Sequence, residues 1–180
     1  AGLTAIGENY WQDAAAHLAV DPERRLQWHF IGPVQSNKTA DIAERFGWVQ
    51  SLDRLKIAQR LNDQRAQNHP PLNILIQINI SGEATKRGVA PPTLPEFADK
   101  IASLPRLCLR GLMAIPAPDD EQAPIRLADL FRLLQANHDH IDTLSIGMSA
   151  DLEHAIHAGS TMVRIGTALF GARPQPSKSP

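Results

Sequence analysis

Strand-like and helix-like segments alternate along the whole chain, and this alternation limits the architectures open to it. Apolar, β-branched runs recur near residues 5, 28, 49, 75, 110, 144 and 163, with amphipathic stretches between them. A βα period of about 20–35 residues predicts a parallel sheet covered by helices. The strongest run, LNILIQINI over 72–80, is apolar almost without interruption. Strands of that kind are buried on both faces, as in parallel sheets. A closed barrel and an open doubly wound sheet both satisfy the pattern. No G-x-G-x-x-G follows a first strand, which removes support for a dinucleotide fold. The expectation is an α/β chain of the (β/α)8 barrel type. Seven strand segments stand against the eight of a complete barrel, and the strand near residue 5 has no lead-in. The first βα unit is therefore expected to be missing.

The spacing predicts helices over 8–19, from Ser36 or Asn37 to about 46, 53–67, 93–103 and 125–137. Asp53 is the expected cap of the third. Thr93 and Glu96 form a capping-box pattern at the start of the fourth.

The stretch 143–171, TLSIGMSADLEHAIHAGSTMVRIGTALFG, reads as strand, glycine turn, helix, strand, glycine turn. Gly147 breaks the first strand, and Ser149 is placed to cap a helix over 150–158. Gly159 supplies the stop, and Gly166-Thr167 opens a last helical turn after a strand over 162–165. Two adjacent strands thus each end in a glycine, followed by a hydroxyl residue at a helix start. Free N–H donors, hydroxyls and positive dipole ends gathered there favour a phosphate dianion. In (β/α)8 barrels the loops after the last two strands often form that site. Ordinary βα turns also use Gly and Ser; the doubling of the motif, with Arg164 beside it, brings an anion site level with that structural reading.

With 180 residues the chain can bury one sizeable core, as a single domain over 1–173 with a polar, proline-rich, flexible tail over 174–180. A formal charge of -1 argues against a nucleic-acid partner. No apolar run approaches membrane-spanning length, and no secretory leader pattern is present. Cys108 is the only cysteine and reads as a buried, inert thiol in an apolar strand. A reducing cytoplasm fits this usage.

The segments IGENYWQD, WHFIGPVQSNK, SLDRLKIA, LNILIQINIS, LRGLMAIPAP, TLSIGMSADLEHAI and AGSTMVRIGTALFGAR, in that order, resemble the pyridoxal phosphate homeostasis family, the YggS/PROSC-like proteins. The resemblance implies a barrel like the N-terminal domain of alanine racemase. It implies pyridoxal 5′-phosphate as the cofactor, no established reaction, and a role in vitamin B6 and in amino-acid and keto-acid balance. It places Ser149, Gly166 and Thr167 in the phosphate loops, Asn9 near the cofactor ring, Met148 packed on the ring, and Arg164 facing the pyridine nitrogen. Arginine stays charged at working pH, and a fixed cation there weakens the ring as an electron sink. On residues alone, an inward salt bridge is the competing role for Arg164. The family's Schiff-base lysine ends a first strand that lies upstream of Ala1 in the family pattern. None of Lys38, Lys56, Lys86, Lys100 and Lys178 sits in a matching context, so no Schiff-base lysine is assigned.

Other candidates carry less. His29 either lines the mouth or is a hydrogen-bonded core histidine. His154 with His157, and His138 with His140, lack a convergent third ligand for a metal. Glu8 and Asp13 have a structural reason at a helix start, and Lys86 and Arg87 read as solvated.

The leading function is a non-enzymatic carrier and regulator of pyridoxal phosphate in the cytoplasm, with the small-molecule cofactor as its partner and no membrane. The alternatives are a cofactor-dependent amino-acid racemase and a barrel for another phosphorylated metabolite. Alanine racemase takes one base from the Schiff-base lysine and one from a tyrosine in a second domain; here the sole tyrosine is Tyr10. Relatives of full length are expected to be monomeric, whereas an opened barrel exposes edges that recruit other chains.

Overall fold

The computed structural model describes residues 2–21, 23, 25–149 and 151–171. Strands and helices alternate as β1 Ala5–Glu8, α1 Trp11–Ala19, β2 Gln27–Phe30, α2 Thr39–Arg45, β3 Trp48–Leu52, α3 Leu55–Gln64 and β4 Leu72–Gln77. They continue as α4 Leu94–Ala102, β5 Leu107–Met113, α5 Ala123–Gln135, β6 Thr143–Ser145, α6 Leu152–His157 and the short α7 Thr167–Phe170. The six strands form one parallel sheet in sequence order. Every crossover therefore advances by one strand, which is the barrel pattern and not the reversing order of a doubly wound sheet.

The sheet is curled. Neighbouring strands lie about 4.8 Å apart, so three steps across a flat sheet span about 14 Å. Yet Ser145 Oγ on β6 donates to Gln50 Oε1 on β3 at 2.7 Å, across two intervening strands. Only a strongly curved sheet brings those strands face to face, and the six strands form a half-barrel.

Its two faces are packed differently. Helix residues Ile42, Ile57, Leu61, Leu94, Ile101 and Leu127 join Ile74, Ile76, Leu109 and Leu112 in one continuous buried core on the convex side. A separate cluster of Trp48, Leu75 and Met113, strand residues only, fills the concave side. Period-two alternation explains it: Leu75 points away from its neighbours Ile74 and Ile76.

Three local expectations are corrected. The run over 162–165 does not form a seventh strand among the described residues; it makes one isolated parallel bridge, Ser145 to Met162. There the N–H groups of Thr161 and Met162 both donate to Leu144 O, and Ser160 Oγ lies within hydrogen-bond distance of three carbonyl oxygens, so the regular ladder does not start. Thr93 makes no reciprocal cap, because the turn Pro91–Thr93 leaves it at φ -93, ψ -3, and its hydroxyl donates back to Ala90 O. Ser149 does not cap α6 either: the cap position is Asp151, whose carboxylate accepts the Met148 N–H at 2.7 Å. The tail expected over 174–180 lies outside the described residues, as does Ala150.

Candidate functional site at the strand ends

The expected residues follow β1 (Asn9), β6 (Met148 and Ser149) and the Met162 bridge (Arg164, Gly166 and Thr167). Two loops come together first. After β6 the chain turns at Gly147 (φ 100), where a Cβ would fall 2.5 Å from Ala155 Cβ; no other residue fits. Arg164 N–H donates to Gly147 O at 3.0 Å, which fastens the loop after the Met162 bridge to the loop carrying Met148 and Ser149. Gly166 is the cap position of α7, followed by Thr167. Ser149, Gly166 and Thr167 are exposed, and Met148 is 44% exposed. A Cβ at Gly166 would meet nothing within 4 Å. Packing among the described residues therefore gives no reason for glycine there.

Arg164 is the centre of the arrangement. Its Nη1 donates to Ser145 O at 3.0 Å and to Ser145 Oγ at 2.7 Å, and its Nη2 to Ala114 O at 2.9 Å. All three acceptors are neutral, so the guanidinium is not the inward salt bridge that competed for this residue. Burial lowers its pKa to about 10, which leaves it cationic at neutral pH. The Asp151 carboxylate opposes that drop through space, with no direct ion pair to Arg164 among the described residues.

His29 is a core histidine. It is buried, its ring stacks on Trp48 at 5.0 Å, and Gln50 Nε2 donates to its Nδ1 at 2.9 Å. Burial pushes its pKa down to about 4. Gln50 and Ser145, which tie His29 to Arg164, are site residues that sequence reasoning missed. The available signal was a polar side chain on a fully buried strand, WVQSL over Trp48–Leu52, all five residues of which are buried.

Asn9 stands apart from these. It lines a cleft of about 240 Å³ with Gly32, Pro33, Gln77, Lys86 and Arg87, and none of the other five expected residues borders that cleft. The backbone of Gly32 presses so close that a Cβ there would lie 1.8 Å from Asn9 O. Lys86 and Arg87 are paired, with Glu83 at 2.9 Å and Asp53 at 3.6 Å, while still facing the cleft. The remaining candidates are engaged locally. Glu8 Oε1 meets His17 Nδ1 at 2.6 Å, and His154 and His157 lie within hydrogen-bond distance of the separate carbonyls of Glu121 and Glu153. Burial raises the Cys108 thiol pKa, which keeps it protonated.

Residues 1–174 match the family described as alanine racemase, N-terminal domain. Over 175 residues the chain is 57% identical to the pyridoxal phosphate homeostasis protein of Pseudomonas aeruginosa, covering 96% of this chain and 76% of that protein. The chain belongs to the pyridoxal phosphate homeostasis family. Among solved structures, PipY of Synechococcus elongatus PCC7942 with pyridoxal phosphate bound superposes with a TM-score of 0.84 at 30% identity, over 94% of this chain and 82% of that one. An alanine racemase of Clostridium difficile 630 shares the fold, with a TM-score of 0.68 at 16% identity over 95% of this chain and 46% of that one. The barrel expectation and the family resemblance both hold.

Proposed function

We propose that this chain binds pyridoxal 5′-phosphate at the rim formed by the loops after β6 and after the Met162 bridge, and serves vitamin B6 homeostasis as a carrier and regulator. The observation that carries this reading is Arg164. It is a half-buried cation whose direct hydrogen-bond partners are neutral, joined through its own backbone to the Gly147 loop, with open space at Gly166. The residues fit the group: hydroxyls of Ser149 and Thr167 and the first N–H groups of the α7 turn suit a phosphate dianion. Met148, partly exposed, offers a thioether and methyl to pack on an aromatic ring. Asn9 lines the separate cleft and is assigned to the ring by the family resemblance alone. Arg164 faces the pyridine nitrogen, the role its neutral shell leaves open.

When bound, the cofactor supplies an aldehyde and an electron-withdrawing pyridine ring. Arg164 holds a positive charge where protonation of that ring would otherwise draw electrons, and so disfavours catalysis that needs the ring as a sink. This supports carriage over turnover, and a cytoplasmic site of action accords with the role; no helix among the described residues is long and apolar enough to cross a membrane.

Titration with pyridoxal phosphate, read by absorbance and intrinsic fluorescence, tests the reading. Reversible, saturable, stoichiometric binding is expected, with the bound spectrum close to that of the free aldehyde. Borohydride treatment with peptide mapping tests the chemistry: scattered, substoichiometric lysine labelling is expected. A single stoichiometric label at Lys38, Lys56 or Lys86 overturns the non-covalent form of the proposal, and absence of saturable binding overturns it whole.

A further inference from the structure

A line of hydrogen bonds crosses the concave face from Arg164 to Gln27. Arg164 Nη1 donates to Ser145 Oγ at 2.7 Å, and Ser145 Oγ donates to Gln50 Oε1 at 2.7 Å. Gln50 Nε2 and His29 Nδ1 are 2.9 Å apart, and His29 Nε2 and Gln27 Oε1 are 3.2 Å apart. The bond directions follow from two observations together. A guanidinium only donates, so Ser145 Oγ accepts from Arg164. The Gln50 atom facing Ser145 is its amide oxygen, so the Ser145 proton goes to Gln50. That occupies the Gln50 carbonyl, so its amide N–H faces His29. His29 Nδ1 must then be the bare, accepting nitrogen, and the imidazole proton lies on Nε2, donated to Gln27. The amide nitrogen of Gln50 also lies 3.2 Å from Met162 Sδ, on the segment that leads into Arg164.

We infer that Gln50, locked by His29, is a positioning residue for Arg164: it fixes the Ser145 hydroxyl and through it the guanidinium at the cofactor rim. What Arg164 faces rests on the pyridoxal phosphate reading; the relay itself does not.

The surroundings of His29 hold it in the form the relay needs. Its own strand contributes Gln27, β3 contributes Trp48 and Gln50, and β1 presents Gly7 opposite it. The charged groups along the network are two cations, each with a carboxylate beyond it: Arg164 at the far end, within the field of Asp151, and Arg110 on β5, 5.1 Å from the Trp48 ring centroid and paired with Asp142. Neither favours an imidazolium. A proton on Nδ1 would set two donors face to face and turn the Gln50 amide over. Ser145 would then have to accept from both Gln50 and Arg164, and the guanidinium contact would reorganise.

Two measurements test this. The first uses the unaltered protein without ligand: long-range ¹⁵N–¹H correlation of the histidine rings between pH 8 and 5.5. His29 is expected as the neutral Nε2–H tautomer throughout; a proton on Nδ1, or titration inside that range, overturns the relay. The second titrates pyridoxal phosphate into Gln50→Met, Ser145→Ala and the double variant. Each single change is expected to weaken binding about 3- to 10-fold, the size of one lost hydrogen bond. The double change is expected to weaken it no further than the larger single, and neither to add to Arg164→Ala. Additive losses, or no loss, overturn the positioning role. Unaltered protein that fails to bind breaks the reading of the site, while the tautomer still decides the relay. A variant that fails to fold leaves the decision to the tautomer.

Discussion

On the convex side of the sheet, Ile74, Ile76, Leu109 and Leu112 are packed into one apolar layer with the helices, and each is 5% exposed or less. On the concave side, the apolar cluster of Trp48, Leu75 and Met113 is bordered by Gln50, His29, Ser145 and Arg164. The same strands supply both faces, since alternate residues point opposite ways. The convex face stabilises the fold by removing apolar area from water. The concave face buries Gln50, His29 and Ser145, polar groups made tolerable by their partners, while Trp48 Nε1 has none among the described residues. The difference teaches where change is permitted: volume matters on one face, and donor and acceptor order on the other.

The largest expected effect probes the first face. Ile74 is fully buried, and Ile74→Ala is expected to cost about 2–5 kcal/mol in urea unfolding. If Ser145→Ala on the concave face costs as much, the division of labour between the faces is wrong.

Acid probes the second face. His29 has a folded pKa of about 4 against an ordinary 6.5. As pH falls the unfolded chain takes up the proton first. Stability is therefore intact above about pH 6.5 and lost progressively toward pH 4, by up to about 3 kcal/mol. Melting temperatures across that range in the native chain and in His29→Phe are expected to diverge, with the variant's profile flatter. Parallel profiles would remove His29 from the account.

Ligand binding separates the rim from the interior. Thr167→Ala removes a hydroxyl donor to a charged group and is expected to cost about 1.5–3 kcal/mol of pyridoxal phosphate affinity. Arg164→Ala is expected to cost less, because the phosphate carries most of the affinity. Calorimetric titration giving the reverse order would move the anchor from the loops to the guanidinium.

The smallest contrast lies between two glycines. Gly147→Ala meets Ala155 Cβ at 2.5 Å with φ 100, and is expected to lower stability by about 1–3 kcal/mol. Gly166→Ala enters open space and is expected to change stability by less than about 0.5 kcal/mol while weakening the ligand. Equal losses of stability in thermal melts would show that Gly166 serves the fold and not a ligand.

Much of the fold was legible in the residues. The strand expected near residue 49 is Trp48–Leu52, and the apolar run over 72–80 begins β4 at Leu72. It outlasts the strand, which ends at Gln77: Ile78 keeps only an isolated bridge to Val89, and Ile80 stays buried outside any strand. Hydrophobicity reports burial, not hydrogen-bonded pairing. The caps expected of Ser149 and Thr93 were misread for a related reason. Capping depends on an extended backbone at the cap position, and the neighbours, Asp151 in one case and the Pro91–Thr93 turn in the other, decided otherwise.

The sequence by itself determined the alternation of strand and helix, the parallel sheet, the family and the glycine-hydroxyl loops, because each is written in local spacing or contiguous motif. Only the tertiary structure decided what Arg164 touches. Its partners Ser145 and Ala114 are 19 and 50 residues away in the chain, and the relay behind it joins Gln50 to Ser145 across a separation of 95. Those contacts exist because the sheet curls, and curvature is a property of six strands packed together that no single segment carries.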